Sequence, residues 1–315
     1  MSLSGYVLRR VLLGMVQILL VVVLVFLLTE ALPGDAAVTI AGDNPDPAMI
    51  ELLREQLGLN APLWQRLGDW ILNASQGDFG QSLLGPRSVL DIIGTSVGPT
   101  LLLAALALAL IIPVSLGLGL LAAQREGRFT DRAITSATLG LYAVPEFAMA
   151  ILLVTAFAVQ LGWLPPTAVG GSDLLSRPAV LVLPVLVLLL RPICSLSRLV
   201  RAGMIDALNS GYVRQARRNG LSAARVRLLH ALPNAIVPAV QQLARTADWL
   251  IGGVIVVEAL FVIPGLGTTL IDAVSARDLP VVQGLSVLLA GVTVLVNLAA
   301  DIAAKILVPA AEVSR

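Results

Sequence analysis

The chain has 315 residues, 57% of them hydrophobic and only 13% charged, with a mean hydropathy of +0.90, where soluble proteins average about a quarter charged. Its 21 basic and 20 acidic side chains leave a net charge of +1, so no basic field points to nucleic acid and no acidic excess to disorder. A soluble globule is excluded, and the single Cys194 and single His230 exclude an internal disulfide, a Cys/His zinc site and an iron–sulfur cluster.

Hydrocarbon about 30 Å thick is crossed by about 20 apolar residues of helix, and six stretches qualify: Val11 to Leu32, Thr100 to Ala123, Ile134 to Leu161, Ala179 to Leu199, Ile236 to Val262 and Val281 to Val308. The first carries no charge from Val11 to Thr29. It is read as a retained span rather than a cleaved leader, because it lacks a small-residue cleavage site and Glu30, Pro33 and Gly34 follow it. Residues 33–98 then form the only sizeable outer segment. Asp46 and Pro47 make a helix start, after which Ile50, Leu53 and Leu57 recur at helical spacing up to Gly58. A second helix is predicted from Pro62 through Leu63, Leu67, Trp70 and Ile71. The pair suits helices lying on the membrane surface or a docking surface for a partner, and the pattern leaves both open.

The second and sixth spans are as clean as the first, whereas the third, fourth and fifth are interrupted by Glu146, by Arg191, and by Arg245, Asp248 and Glu258. Positive residues stay cytoplasmic in short loops. With the N-terminus inside, 14 Lys and Arg fall on the cytoplasmic side and 5 on the outer side. The expectation is a multi-pass protein of the plasma membrane with both termini cytoplasmic.

The segment Gly211 to Pro233, GYVRQARRNGLSAARVRLLHALP, holds five Arg and no acid, with Tyr212, Val213, Ala216, Leu221, Val226 and Leu229 interleaved. That spacing predicts short helices packed on other elements. Gly220 sits where one of them must stop, a place glycine takes because it reaches left-handed dihedrals without steric cost. The arginines suit anchoring at the lipid headgroups or holding the acidic rim of a partner.

The arrangement of Ala216, Gly220 and Leu232-Pro233 resembles the "EAA" loop of membrane subunits in binding-protein-dependent ABC importers. Arg214 and Gln215 replace the glutamate and first alanine of that pattern, and His230 replaces an isoleucine, as in the peptide-transport branch. Further stretches resemble the same branch: Leu32-Pro33-Gly34-Asp35, Leu57-Gly58-Leu59 with Pro62-Leu63-Trp64, Gly77-Asp78-Phe79-Gly80 with Ser82, Val257-Glu258, Phe261, Pro264-Gly265-Leu266-Gly267, and Arg277-Asp278 with Pro280-Val281-Val282-Gln283-Gly284. The ordered series, from about residue 6 to 308, is identified with the B-type permease subunit of dipeptide and oligopeptide importers.

The resemblance implies an all-α membrane protein with the type I ABC importer transmembrane fold, six transmembrane helices and an outer helical segment between helices 1 and 2. It divides the chain into 1–32, the N-terminus and first helix; 33–98, the extracytoplasmic segment; 99–308, a five-helix permease core with a coupling loop at 203–233; and 309–315, a tail. It implies a homologous C-type permease, two ATPase domains, separate or fused, and an extracytoplasmic peptide-binding protein as partners in the bilayer. Tyr212, Val213, Arg214, Ala216, Arg217, Gly220, Leu221 and Ala224 would couple to the ATPase. No Walker phosphate loop occurs, so the chain is not expected to be an enzyme or to hold a cofactor; ATP and magnesium would be bound by the partners.

Ionisable groups inside spans cost about 2.5 to 3.5 kcal/mol each and tend to face cavities or partners. Glu258 with Phe261, Glu146, Arg191 and Asp248 are therefore candidates for a translocation path or gate, Arg191 paired with one of the acids being the alternative. The same branch handles dipeptides, longer peptides, nickel chelates, glutathione or haem, so the substrate stays open. A secondary transporter would show inverted repeats, and a membrane enzyme a nucleophile with a base or a metal cluster in the spans. Neither pattern is found, and no metal site is expected.

Overall fold

The computed structural model describes residues 3–31, 36–41, 46–56, 58–168 and 174–307. The Leu32-Pro33-Gly34-Asp35 motif, Leu57 and the tail 309–315 lie outside the described residues. The described chain is helical, and its strand-like pairing is one isolated bridge between Gln81 and Ser88. Four helices are long and apolar enough to cross a membrane, and two more spans result if each of two bent helix pairs counts as one. The all-α membrane fold with six spans is thereby met. The chain divides into two compact units, Met1–Thr100 with Pro264–Leu295, and Leu101–Ile263 with Val296–Arg315.

In the first unit, α1 (Leu3–Glu30) turns Leu12, Val16, Leu19 and Leu20 outward and buries Val22 and Phe26. Gly14 lets it approach α13 (Leu279–Leu307), since a Cβ there would stand 2.5 Å from a Val294 methyl. Deeper along the same contact, Gln283 Nε2 donates to Thr29 Oγ1 at 3.0 Å, a buried polar pair that pins the helices. After α2 (Ala36–Ala41), the outer segment holds the two expected helices. In α3 (Pro47–Gln56) the Ala48 N–H donates to the Asp46 carboxylate at 3.0 Å, and in α4 (Leu63–Ser75) Arg66 makes a two-pronged ion pair with Glu30 at 2.9 and 2.6 Å.

The motif stretches 77–82 and 277–284 meet in this unit. Gly77 and Gly80 take left-handed φ of 85° and 84°, which turns the chain so that Ser82 and the Leu83 N–H both donate to the buried Asp278 carboxylate. Gly284 lies against Val89 and Phe79, where a Cβ would come within 2.5 Å of a Val89 methyl. Val89, Ile93, Leu266, Ala273, Val281 and Leu285 form the apolar core around that contact.

The second unit is organised on α8 (Ala179–Leu208), which buries Leu183, Val187, Leu188, Leu196, Val200 and Met204 and runs nine residues past the expected Leu199 boundary. Its polar end residues, Arg198 and Arg201 among them, leave the apolar stretch but keep helical propensity, so hydropathy places the boundary too early. It runs through Pro184 and Pro192 without ending. Most of α5 (Val89–Gln124) belongs here too, with Gly119 packed on α8: a Cβ would come 2.6 Å from Val200 and 2.8 Å from the Ser197 carbonyl.

The third span is not one straight helix. Pro145 lacks an N–H and drives Val144 into an extended conformation (φ −79°, ψ 127°), so α6 (Phe129–Ala143) ends there. The chain restarts as α7 (Glu146–Leu153), widens into π-type turns over Val154–Gln160, and makes an angle of 107° with α6. Helix α12 (Val237–Phe261) packs along α8 and stops at Val262, a left-handed cap (φ 54°) whose successor Ile263 donates to the Glu258 carbonyl at 2.9 Å.

Candidate functional site

The stretch between α8 and α12 is a built structure rather than a loose basic loop. Ser210 caps α9 (Gly211–Arg218), its Oγ accepting from the Val213 N–H at 3.4 Å, and Val213 and Ala216 face inward, fully or nearly buried. Gly220, at φ 80°, ends the helix: its N–H donates to the Arg217 carbonyl at 3.0 Å and that of Leu221 to Ala216 at 3.3 Å. This paired closure needs a left-handed residue, so the glycine read from sequence stands where the geometry demands it. Ser222 then caps α10 (Ala223–Arg225), and π-type turns over Val226–Ala231 lead into α11 (Leu232–Ala235).

Alternation of small apolar and long basic residues splits this segment into two faces. Val213, Ala216, Val226 and Ala231 are buried with Leu221 half-buried, while Tyr212, Arg214, Arg217, Arg218, Gly220, Ala224, Leu228 and Leu229 are exposed. Asn234 Nδ2 donates to the Tyr212 hydroxyl at 3.3 Å and to the His230 carbonyl at 3.1 Å, tying the first helix of the segment to the last. His230 has its Nδ1 3.3 Å from the Arg225 carbonyl, a local contact.

Three contacts fasten the segment to the long helices. Gly203 of α8 touches the backbone of Ala235, where a Cβ would overlap the carbonyl oxygen at 2.2 Å. Arg227 Nη1 donates to Gln124 at the end of α5, at 2.9 Å. Nearby, Arg201 grips the buried Asp131 at 2.5 and 2.7 Å, and Asp131 also accepts from the Gly127 N–H at 2.9 Å, joining α8 to the α5–α6 turn. Neither Gly203 nor the Asp131–Arg201 pair was singled out from sequence. The available signal for the pair was one of two acids, Glu126 and Asp131, set among Arg125, Arg128 and Arg132.

The in-membrane charges do not gather into one group. Glu258 and Phe261 are buried inside the chain, and the exposed surface of that stretch is Val262 instead. Asp248 sits on α12, its side chain outside the described set. Glu146 and Arg191 do fall in one neighbourhood without an ion pair between them. The Glu146 Oε1 is buried with no hydrogen-bond partner, close against Gly253 of α12, and Arg191 lies over the Tyr142 ring at 5.1 Å. Arg198 lies over the same ring at 4.9 Å. A polar cavity of about 170 Å³ opens beside them, bounded by Tyr142, Arg191, Gln242, Arg245, Thr246 and Trp249. Arg245, counted from sequence only as an interruption of the fifth span, is the residue the site reading missed.

The chain matches the family described as "Binding-protein-dependent transport system inner membrane component" over residues 115–313, and its N-terminal companion, "Binding-prot-dependent transport system membrane comp, N-term", over residues 3–97. Over 299 residues it is 39% identical to the glutathione transport system permease protein GsiC of Escherichia coli (strain K12), covering 95% of each chain. Over 303 residues it is 38% identical to "Putative peptide transport system permease protein BAB2_1050" of Brucella abortus (strain 2308), covering 95% of this chain and 96% of that one.

Proposed function

From the premise that the chain belongs to the family of binding-protein-dependent transport system inner membrane components, and so is a permease subunit of a peptide-type ABC importer with the type I fold, we propose that it forms half of the membrane path for small peptides, glutathione among them. Both relatives support that substrate class: one is named for glutathione transport and one for peptide transport. The other half of the path is a homologous C-type permease. An extracytoplasmic binding protein delivers the peptide, and two ATPase domains bind ATP and magnesium and hydrolyse the nucleotide. Both termini face the cytoplasm, in keeping with the excess of arginine on that side.

The observation that carries the mechanism is the two-faced segment 211–235. Its exposed side presents Tyr212, Arg214, Arg217 and Ala224 to an ATPase groove, the guanidinium forks suiting acidic rims and backbone carbonyls. Its buried side is continuous with the core of the second unit through Val213, Ala216, Val226 and Ala231. Closure of the ATPase pair therefore moves the segment as a body, and the Gly203–Ala235 backbone contact passes the motion to α8.

Single cysteines in a background lacking the buried Cys194 test this. Ala224→Cys, exposed and without a capping role, should be shielded from membrane-impermeant thiol reagents in intact cells and should cross-link to the ATPase subunit in the assembled complex. Ser75→Cys, exposed at the end of α4, should be labelled from outside. Labelling of position 224 from outside would overturn both the orientation and the coupling role.

A further inference from the structure

We propose that the polar cavity enclosed by α6, α8 and α12 receives the carboxylate of the passing substrate, with Arg191 and Arg245 as its binding groups. The inference rests on the peptide-path reading and adds to it which end of the substrate is held, and by which residues.

Arg191 stands near the middle of α8, and Arg245 lies on α12 one turn before the apolar stretch that begins at Trp249; both are exposed at the surface of this chain. Among the described side chains, a set that does not include Asp248, no carboxylate comes within ion-pair distance of either guanidinium, and Glu146 is the acid near enough to Arg191 to act on it electrostatically. Their contacts are weaker ones: Arg191 over the Tyr142 ring at 5.1 Å, and Arg245 Nε donating to Gln242 Oε1 at 3.2 Å. A guanidinium turned to lipid at the depth of Arg191 costs several kcal/mol, so the face carrying it opens on an aqueous path or on a partner. Two like charges on one small cavity also repel each other, and an anion between them removes that penalty while satisfying their planar forks.

The cavity's size narrows the ligand. About 170 Å³ is room for about five or six waters, enough to seat one terminus of a peptide. Trp249 and Tyr142 supply flat walls, and Gln242 and Thr246 supply neutral hydrogen-bonding groups. This composition holds a carboxylate and its flanking peptide plane loosely enough to let them go, which a path requires.

The test uses the assembled transporter with its binding protein in proteoliposomes, with glutathione and the dipeptide alanylalanine as probes. Arg191→Gln and Arg245→Gln should each lower ATP-dependent uptake about ten-fold or more, the worth of one charged hydrogen bond. Subunit assembly should stay as in the unaltered complex. Arg191→Lys and Arg245→Lys should each recover part of the uptake, because they keep the charge and lose the planar fork. Uptake by the Gln variants within two-fold of the unaltered complex overturns the inference. So does a loss of assembly with Gln that Lys repairs, which would make the arginines a salt bridge to the partner permease. Absence of ATP-dependent uptake by the unaltered assembly is a different failure, one that sinks the path reading itself.

Discussion

Replacing Gly203 by alanine adds one methyl group at the tightest backbone crossing beside the coupling segment. The new Cβ would stand 2.2 Å from the Ala235 carbonyl oxygen and 3.0 Å from its carbon, where close C···O contacts settle at about 3.3 to 3.6 Å. The obstacle is backbone, so no side chain can swing aside, and α8 and α11 must part by about 1 Å. Overpacking of this kind costs about 1 to 3 kcal/mol, and here the strain falls on the joint through which the segment reaches α8. The expected outcome for Gly203→Ala is a lower Tm of the purified complex and a loss of binding-protein stimulation of ATP hydrolysis. Gly211→Ala is the control, since nothing lies within 4 Å of its added Cβ; it should leave both readings unchanged. If the two variants behave alike in both assays, the Gly203–Ala235 contact is not the route of coupling.

Gly220→Val meets no steric obstacle, yet it forces a β-branched residue to φ 80° at a cost of about 1 to 2 kcal/mol. It should raise ATP hydrolysed per substrate imported, while Gly220→Asn, which tolerates that conformation, stays close to the unaltered ratio; equal ratios for Val and Asn would refute the need for a left-handed residue. Asp131→Asn leaves Arg201 with one acceptor in place of a two-pronged carboxylate and should lower stability by about 2 kcal/mol, at the modest end for a buried pair because Arg201 is partly exposed. Thermal unfolding of the purified complex in detergent measures it, and an unchanged Tm would show that the pair is dispensable.

The apolar runs made the spans legible because nothing but helix satisfies backbone groups in hydrocarbon, and Gly220 was legible because its role is set by its own φ. Pro145 was legible as a proline that kinks or ends a helix, but which of the two it does was not. A proline within an apolar run either kinks a helix or ends it, as the uninterrupted passage of α8 through Pro184 and Pro192 shows, and neighbours decide which. Glu258 shows the limit for charges. Its sequence context marks it as costly in lipid, which is correct, but a buried position inside the chain avoids lipid as well as a water-filled path does. Arg245 was overlooked for the opposite reason: it gains meaning only from Arg191, 54 positions away in sequence, across the same cavity.

One helix links the two ends of the mechanism. From Gly203 at the coupling segment to Arg191 at the cavity, α8 covers twelve residues, about 18 Å at 1.5 Å per residue. Between them Val200, Leu196 and Ile193 are buried against the core of the second unit, and Arg201 anchors that end to Asp131. Close-packed interiors transmit strain, and α8 is packed along this stretch as far as Pro192, where one backbone hydrogen bond is lost. If the segment couples to an ATPase as proposed, movement applied at Ala235 would reach Arg191, on a helix face that also carries Arg198 against the shared Tyr142 ring. Tyr142 itself ends the segment that Pro145 breaks, so the hinge in the third span and the cationic cavity are neighbours. A shift of α8 past that hinge changes how Arg191 and Arg245 converge, which would strengthen the hold on a carboxylate in one state and release it in the other.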